Sequence, residues 1–133
     1  MKRIVRSMGY ALSGLGHAVS EERNIRQFLI GLAVYVLAGV YVGFWPVEWI
    51  VVLVMATGFF IVELLNTSIE RLGDAIDDAE KTRRGGHYHV GIKQAKDVAA
   101  AASLVALLLV VVILGSMLTV HVIVMNGPLP TID

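Results

Sequence analysis

Glu63, Asn66, Glu70 and Asp74 are the residues of this 133-residue chain whose types and spacing could do chemistry. Successive residues of an α-helix turn by about 100°, so steps of three and four return to nearly the same direction. The four side chains then share one helical face, flanked by Thr67. Glu63 stands inside the apolar run Gly58-Phe59-Phe60-Ile61-Val62-Glu63-Leu64-Leu65, about 10 Å farther along the helix axis than Glu70. Like charges on one face repel, so a positive partner is expected among them: a divalent cation, Lys96, or an arginine from the N-terminal segment. Mg2+ takes one or two carboxylates together with phosphate oxygens, which makes nucleotide-bound magnesium a natural partner.

Lys96 is the last cation before a long uncharged run, placed to anchor a helix at a membrane surface or to bind phosphate. Glu21-Glu22 precedes another such run, where an acid also serves as partner to a helix N-terminus. His87 and His89 stand two apart, which puts them on different helical faces, and with no third ligand nearby a zinc site is not expected. His121 reads as a packing or interfacial residue.

The elements that position these residues follow from the distribution of charge. Some 56% of the chain is apolar and 17% charged, against roughly 45–50% and 25% in soluble domains. Residues 27–47, 49–62 and 98–132 contain no Asp, Glu, Lys or Arg. A spanning helix needs about 20 apolar residues, so spans are expected at about 28–44, 47–69 and 98–125, the second enclosing Glu63. Trp45 and Trp49 flank the break at Pro46 and fit an aromatic belt. A chain this short has too little interior to bury three such helices in a soluble fold.

All 11 Lys and Arg lie either in the first 27 residues or between 66 and 97. The positive-inside rule places the N-terminus and the connecting loop, about 70–97, in the cytoplasm and the C-terminus outside. Within that loop, residues 77–86 read as a solvated connection. In the first segment, about 1–24, Ile4, Val5, Met8, Ala11, Leu12 and Leu15 recur at helical spacing beside Lys2, Arg3 and Arg6, the pattern of an amphipathic helix on a membrane surface. The fold class is therefore all-α integral membrane, a surface helix plus three transmembrane helices forming one domain over 1–133.

Several classes are excluded. The net charge is zero, so nothing supports nucleic-acid binding. Cysteine is absent, which removes disulfides, thiolate chemistry and Cys-based metal sites. Neither a phosphate-binding P-loop nor a protein-kinase glycine loop is present.

The run Val62-Glu63-Leu64-Leu65-Asn66-Thr67-Ser68-Ile69-Glu70, with Asp74 four residues on, resembles the signature of the prokaryotic diacylglycerol kinases, E-x-x-N-[ST]-[AS]-x-E followed by Asp. The resemblance extends to Arg3, Gly9-Tyr10, Glu22 with Ile25-Arg26-Gln27, Tyr88-His89 and Ala95-Lys96-Asp97, in order along the chain. It implies a small bacterial inner-membrane lipid kinase that moves the ATP γ-phosphoryl group to a lipid hydroxyl with Mg2+, as a homotrimer with sites shared between subunits. Glu63 resembles the catalytic base, and Glu22 and Glu70 the metal ligands. Asn66 and Lys96 resemble phosphate-side contacts, with Asn66 and Glu63 also on the lipid side. Arg3, Tyr10, Asp74, Tyr88, His89 and Asp97 resemble members of the ATP pocket, to which Glu22 and Glu70 also belong.

The chain departs from the family pattern in a longer stretch between Asp74 and Tyr88, and in His87, which stands where an acid is expected. Diacylglycerol is the expected acceptor. Undecaprenol, used by other members of the family, is the alternative. A non-enzymatic channel or transporter subunit with a membrane carboxylate is the reading from another class.

Overall fold

The structure is a computed structural model that describes residues 2–84 and 90–127. It consists of four helices, α1 (Lys2–Glu21), α2 (Arg23–Val42), α3 (Pro46–Arg84) and α4 (Val90–Asn126). The last three are long and apolar enough to cross a membrane.

The helix breaks have local causes. Glu22 adopts an extended conformation (φ −86°, ψ 118°) between α1 and α2, its side chain making no capping bond to the α2 backbone. Gly43 ends α2 in the left-handed region at φ 80°, which glycine adopts without steric cost. The Gly43 and Phe44 amides both donate to the Gly39 carbonyl. Phe44 folds back so closely that a Cβ on Gly39 would stand 2.6 Å from its ring. Pro46 then occupies the first position of α3, where its missing N–H costs nothing. Glu48 reaches back to accept the Trp45 amide at 2.6 Å, half of a capping box.

Most of the tertiary contact is between α3 and α4. Phe44, Val52, Phe59, Val110 and Leu114 form the core, with Phe28, Leu32 and Tyr35 of α2 packed against it. Apolar side chains on the opposite faces stay open, as at Leu37 (69% exposed) and Leu53 (67%), which suits helices surrounded by hydrocarbon.

The connection between the second and third spans differs from the loop expected over 70–97. At 1.5 Å per residue, the 39 residues of α3 extend about 58 Å, nearly twice a hydrocarbon core of about 30 Å. The helix runs unbroken through 77–84, and α4 already begins at Val90. The polarity of 77–84 is that of a solvated helix. No Gly or Pro lies between Asp74 and Gly85, Ala, Glu and Lys favour helix, and Lys81 pairs with Asp78 at 3.3 Å. His87, Tyr88 and His89 lie outside the described residues.

At the end of the bundle remote from the cations, His121 of α4 is buried against the α2–α3 turn. Its Nδ1 is 2.9 Å from both Glu48 oxygens, and its Nε2 is 3.2 Å from the Val42 carbonyl. The Phe44 and Trp45 rings meet it edge-on. Breaking a buried pair by removing one partner leaves the other uncompensated. His121→Leu should therefore lower the unfolding free energy in detergent by about 3 kcal/mol, and the double change with Glu48→Gln should recover part of that. Denaturant titration of the three variants measures both effects.

Candidate functional site

Glu63 is 2% exposed, the most buried ionisable residue of α3 among the described side chains. Its Oε2 accepts a hydrogen bond from Ser103 Oγ of α4. One turn on, Asn66 is 5% exposed and donates from Nδ2 to Glu70 Oε1 at 3.4 Å. Its Oδ1 is buried and has no hydrogen-bond partner among the described residues. Glu63, Asn66 and Glu70 thus occupy one face of α3, as their spacing predicts, and that face turns toward α2 and α4.

The three side chains line a groove of about 710 Å³ between α2, α3 and α4. Asn24, Gln27 and Ser103 complete its polar part, and the remainder is apolar down to Leu114 and Leu118 apart from Tyr35, whose hydroxyl donates to the Leu114 carbonyl. From Ala100 to Leu118 the groove follows 19 residues of α4, a rise of about 27 Å. It therefore has a carboxylate-bearing head and a long hydrocarbon-lined tail.

The other candidates fall elsewhere. Asp74, one turn beyond Glu70, pairs with Lys96 of α4 at 2.6 Å. The Lys96 stem packs across Gly73, where a Cβ would stand 2.9 Å from its Cδ. Glu22 is bound by Arg71 at 3.0 Å, and the same Arg71 nitrogen holds Glu21 at 3.0 Å. Tyr10 lines a second cleft, of about 480 Å³ between α1 and α3, together with Leu64, Thr67, Ser68 and Arg71. These α3 residues lie about 100° around the helix from the Glu63 face. Arg3 and Asp97 are exposed and line neither cleft. Tyr88 and His89 lie outside the described residues.

Of the positive partners expected for Glu63, Asn66, Glu70 and Asp74, Lys96 of α4 meets Asp74, and Arg71 of α3 meets Glu22 outside that set. An arginine of α1 does not supply them. Sequence reading passed over Ser103 and Arg71. Ser103 carries the one polar side chain between Asp97 and Ser116, and that isolation was the available signal. Arg71 follows Glu70 directly, but nothing local ties it to Glu21 and Glu22 some 50 positions earlier.

The oxygen-rich head suits a hard divalent cation. The unpartnered Asn66 Oδ1 lies beside a Glu70 carboxylate, and such ions prefer carboxylate and amide oxygens. Among the described residues no three His, Cys, Asp or Glu side chains converge. A metal here would draw its remaining ligands from a nucleotide, the usual arrangement for Mg2+.

The sequence profile of the family described as "Prokaryotic diacylglycerol kinase" matches residues 9–118. A diacylglycerol kinase of Helicobacter pylori (strain ATCC 700392 / 26695) is 32% identical over 114 residues, 86% of this chain and 83% of that protein. An undecaprenol kinase of Bacillus subtilis (strain 168) is 30% identical over 102 residues, 77% of this chain and 76% of that protein. A diacylglycerol kinase of Escherichia coli (strain K12) is 28% identical over 110 residues, 83% of this chain and 84% of that protein.

The Ser103 contact can be tested without reference to activity. Ser103→Ala leaves the Glu63 carboxylate without its α4 donor, and the unfolding free energy in detergent should fall by about 1–3 kcal/mol. Ser103→Thr keeps the hydroxyl and should recover most of the loss in the same titration.

Proposed function

We propose, for a chain that belongs to the prokaryotic diacylglycerol kinase family and is a lipid kinase, that it transfers the γ-phosphoryl group of ATP to the hydroxyl of diacylglycerol, giving phosphatidic acid. The observation that carries this reading is the position of Glu63. It is a buried carboxylate at the polar head of a groove whose tail is hydrocarbon. A lipid lying in that groove keeps its chains in an apolar setting while its hydroxyl meets the carboxylate.

In this reading Glu63 accepts the hydroxyl proton as the lipid oxygen forms its bond to phosphorus. The bond from the γ-phosphorus to the bridging oxygen breaks, and ADP leaves. A general base needs to come within about 2.6–3.2 Å of the proton-bearing oxygen. Ser103 fixes the carboxylate from the α4 side, and Asn66 orients the lipid or phosphate oxygen next to it. Phosphoryl transfer asks for charge placement and little covalent chemistry from protein. Glu22 and Glu70 would hold Mg2+, which when bound neutralises the triphosphate charge. Lys96 contacts phosphate after exchanging its hold on Asp74, and Arg3, Tyr10, Asp74, Tyr88, His89 and Asp97 complete the ATP pocket.

The remaining features follow the same reading. The one-sided distribution of Lys and Arg supports a cytoplasmic N-terminus and α3–α4 connection, with the C-terminus outside a bacterial cell membrane. The exposed Ile4, Val5, Met8 and Leu12 of α1 support a helix lying on the inner leaflet. A homotrimer with shared sites is the assembly implied by the resemblance. In such a trimer Arg3 and Asp97 act from positions outside the two clefts of one protomer. Undecaprenol is the second acceptor to consider, because the similar Bacillus subtilis protein is an undecaprenol kinase and a hydrocarbon-lined groove accepts a polyprenol as readily as an acyl chain. Membership of a kinase family leaves the channel reading without support.

Glu63→Gln preserves size and removes the base. Its kcat should fall about 10²–10⁴-fold while nucleotide binding, followed by equilibrium dialysis with labelled ATP and Mg2+, stays within about twofold. Wild-type turnover in this variant would reject the assignment. The acceptor is decided by a competition assay in mixed micelles with equal mole fractions of diacylglycerol and undecaprenol. Diacylglycerol should take most of the label, and a preference for undecaprenol would move the chain to the alternative.

A further inference from the structure

Arg71 stands outside the residues assigned to the reaction, yet it holds one of them. A single guanidinium nitrogen, Nη2, lies 3.0 Å from Glu22 Oε1 and 3.0 Å from Glu21 Oε2. These carboxylates come from the end of α1 and the break before α2, while Arg71 comes from α3, directly after Glu70. Glu22 is available for this contact because it caps nothing.

The two acids are not equivalent. Glu21 is engaged at both oxygens, Oε2 with Arg71 and Oε1 with His17 Nε2 at 3.1 Å one turn back on α1. Glu21 is therefore tethered within its own helix, whereas the contact of Glu22 with Arg71 reaches across from the break between helices. The pairs are also wet. The side chains of Arg71, Glu21 and Glu22 are 39%, 53% and 28% exposed. Ion pairs this exposed are weak and exchange readily, so the Arg71–Glu22 contact is one that a stronger cation displaces. When that happens, the guanidinium still has Glu21.

We propose that Arg71 is a positioning residue that occupies Glu22 in the metal-free protein and yields it to the divalent cation by withdrawing onto Glu21. The inference rests on the reading of Glu22 as a metal ligand. Its logic is electrostatic. The guanidinium holds the Glu22 carboxylate extended toward α3, and it lowers the affinity of the empty site for bare metal. Removing a unit charge about 4 Å from a divalent ion in a water-like medium changes such an affinity about thirtyfold.

The test is Mn2+ binding to the purified protein without nucleotide, followed by the electron paramagnetic resonance signal of the free ion. Arg71→Gln should bind Mn2+ about thirtyfold more tightly than the unsubstituted protein. Arg71→Lys should bind as the unsubstituted protein does. Glu21→Gln should bind about thirtyfold more weakly, because Arg71 then rests on Glu22 alone. A tie that only fastens α1 to α3 would shift unfolding temperature in these variants and leave Mn2+ affinity unchanged. Unchanged or weakened binding in Arg71→Gln, with binding abolished in Glu22→Gln, overturns the role of Arg71 and keeps Glu22 as ligand. Undiminished binding in Glu22→Gln, or no saturable binding by the unsubstituted protein, overturns the metal reading and the role of Arg71 together.

Discussion

The carboxylate of Glu63 is closed in between two apolar helices with 2% of the residue exposed, and the packing around it has to answer for that. An acid at membrane depth costs roughly 2.5–3.5 kcal/mol on insertion scales. Part of the answer is the Ser103 hydroxyl of α4, and part is the polar wall that Asn66 and Glu70 continue toward the charged end. Leaving the carboxylate facing lipid would forfeit both. The α3–α4 seam is therefore where tertiary contact concentrates and where the groove has its head.

The same helix serves two clefts because its faces are only 100° apart. Glu63, Asn66 and Glu70 look toward α2 and α4, while Leu64, Thr67, Ser68 and Arg71 look toward α1. Glu22, at the break between α1 and α2, is joined to α3 through Arg71. Asp74 is joined to α4 through Lys96. Glu22 and Asp74 thus each have a cation from a neighbouring element, while Glu70 takes its hydrogen bond from Asn66. At the other end, Glu48 and His121 tie the α2–α3 turn to α4, so the bundle is fastened at both ends of its apolar length.

Polarity was a poor guide to where the helices stop. Residues 77–84 look like a connection by composition, but helix ends are set by breakers and caps, and none occurs before Gly85. Hydrophobic periodicity reports the part of a helix that is buried or in lipid, and it is silent on a helical turn that water surrounds. The break at residues 43–46 was legible for the complementary reason, since Gly43, Pro46 and two tryptophans mark it in the chain itself.

Sequence by itself determined the three apolar helices, the gathering of every cation at one end, and the common face of Glu63, Asn66 and Glu70. These are consequences of local period and composition, which the backbone of a single helix carries without help. Only the tertiary structure decided that Ser103 meets Glu63, that Arg71 bridges Glu21 and Glu22, and that Lys96 lies across Gly73 onto Asp74. Those contacts join residues 22 to 50 positions apart. They depend on how helices cross and rotate against one another, which no pattern within a single helix specifies.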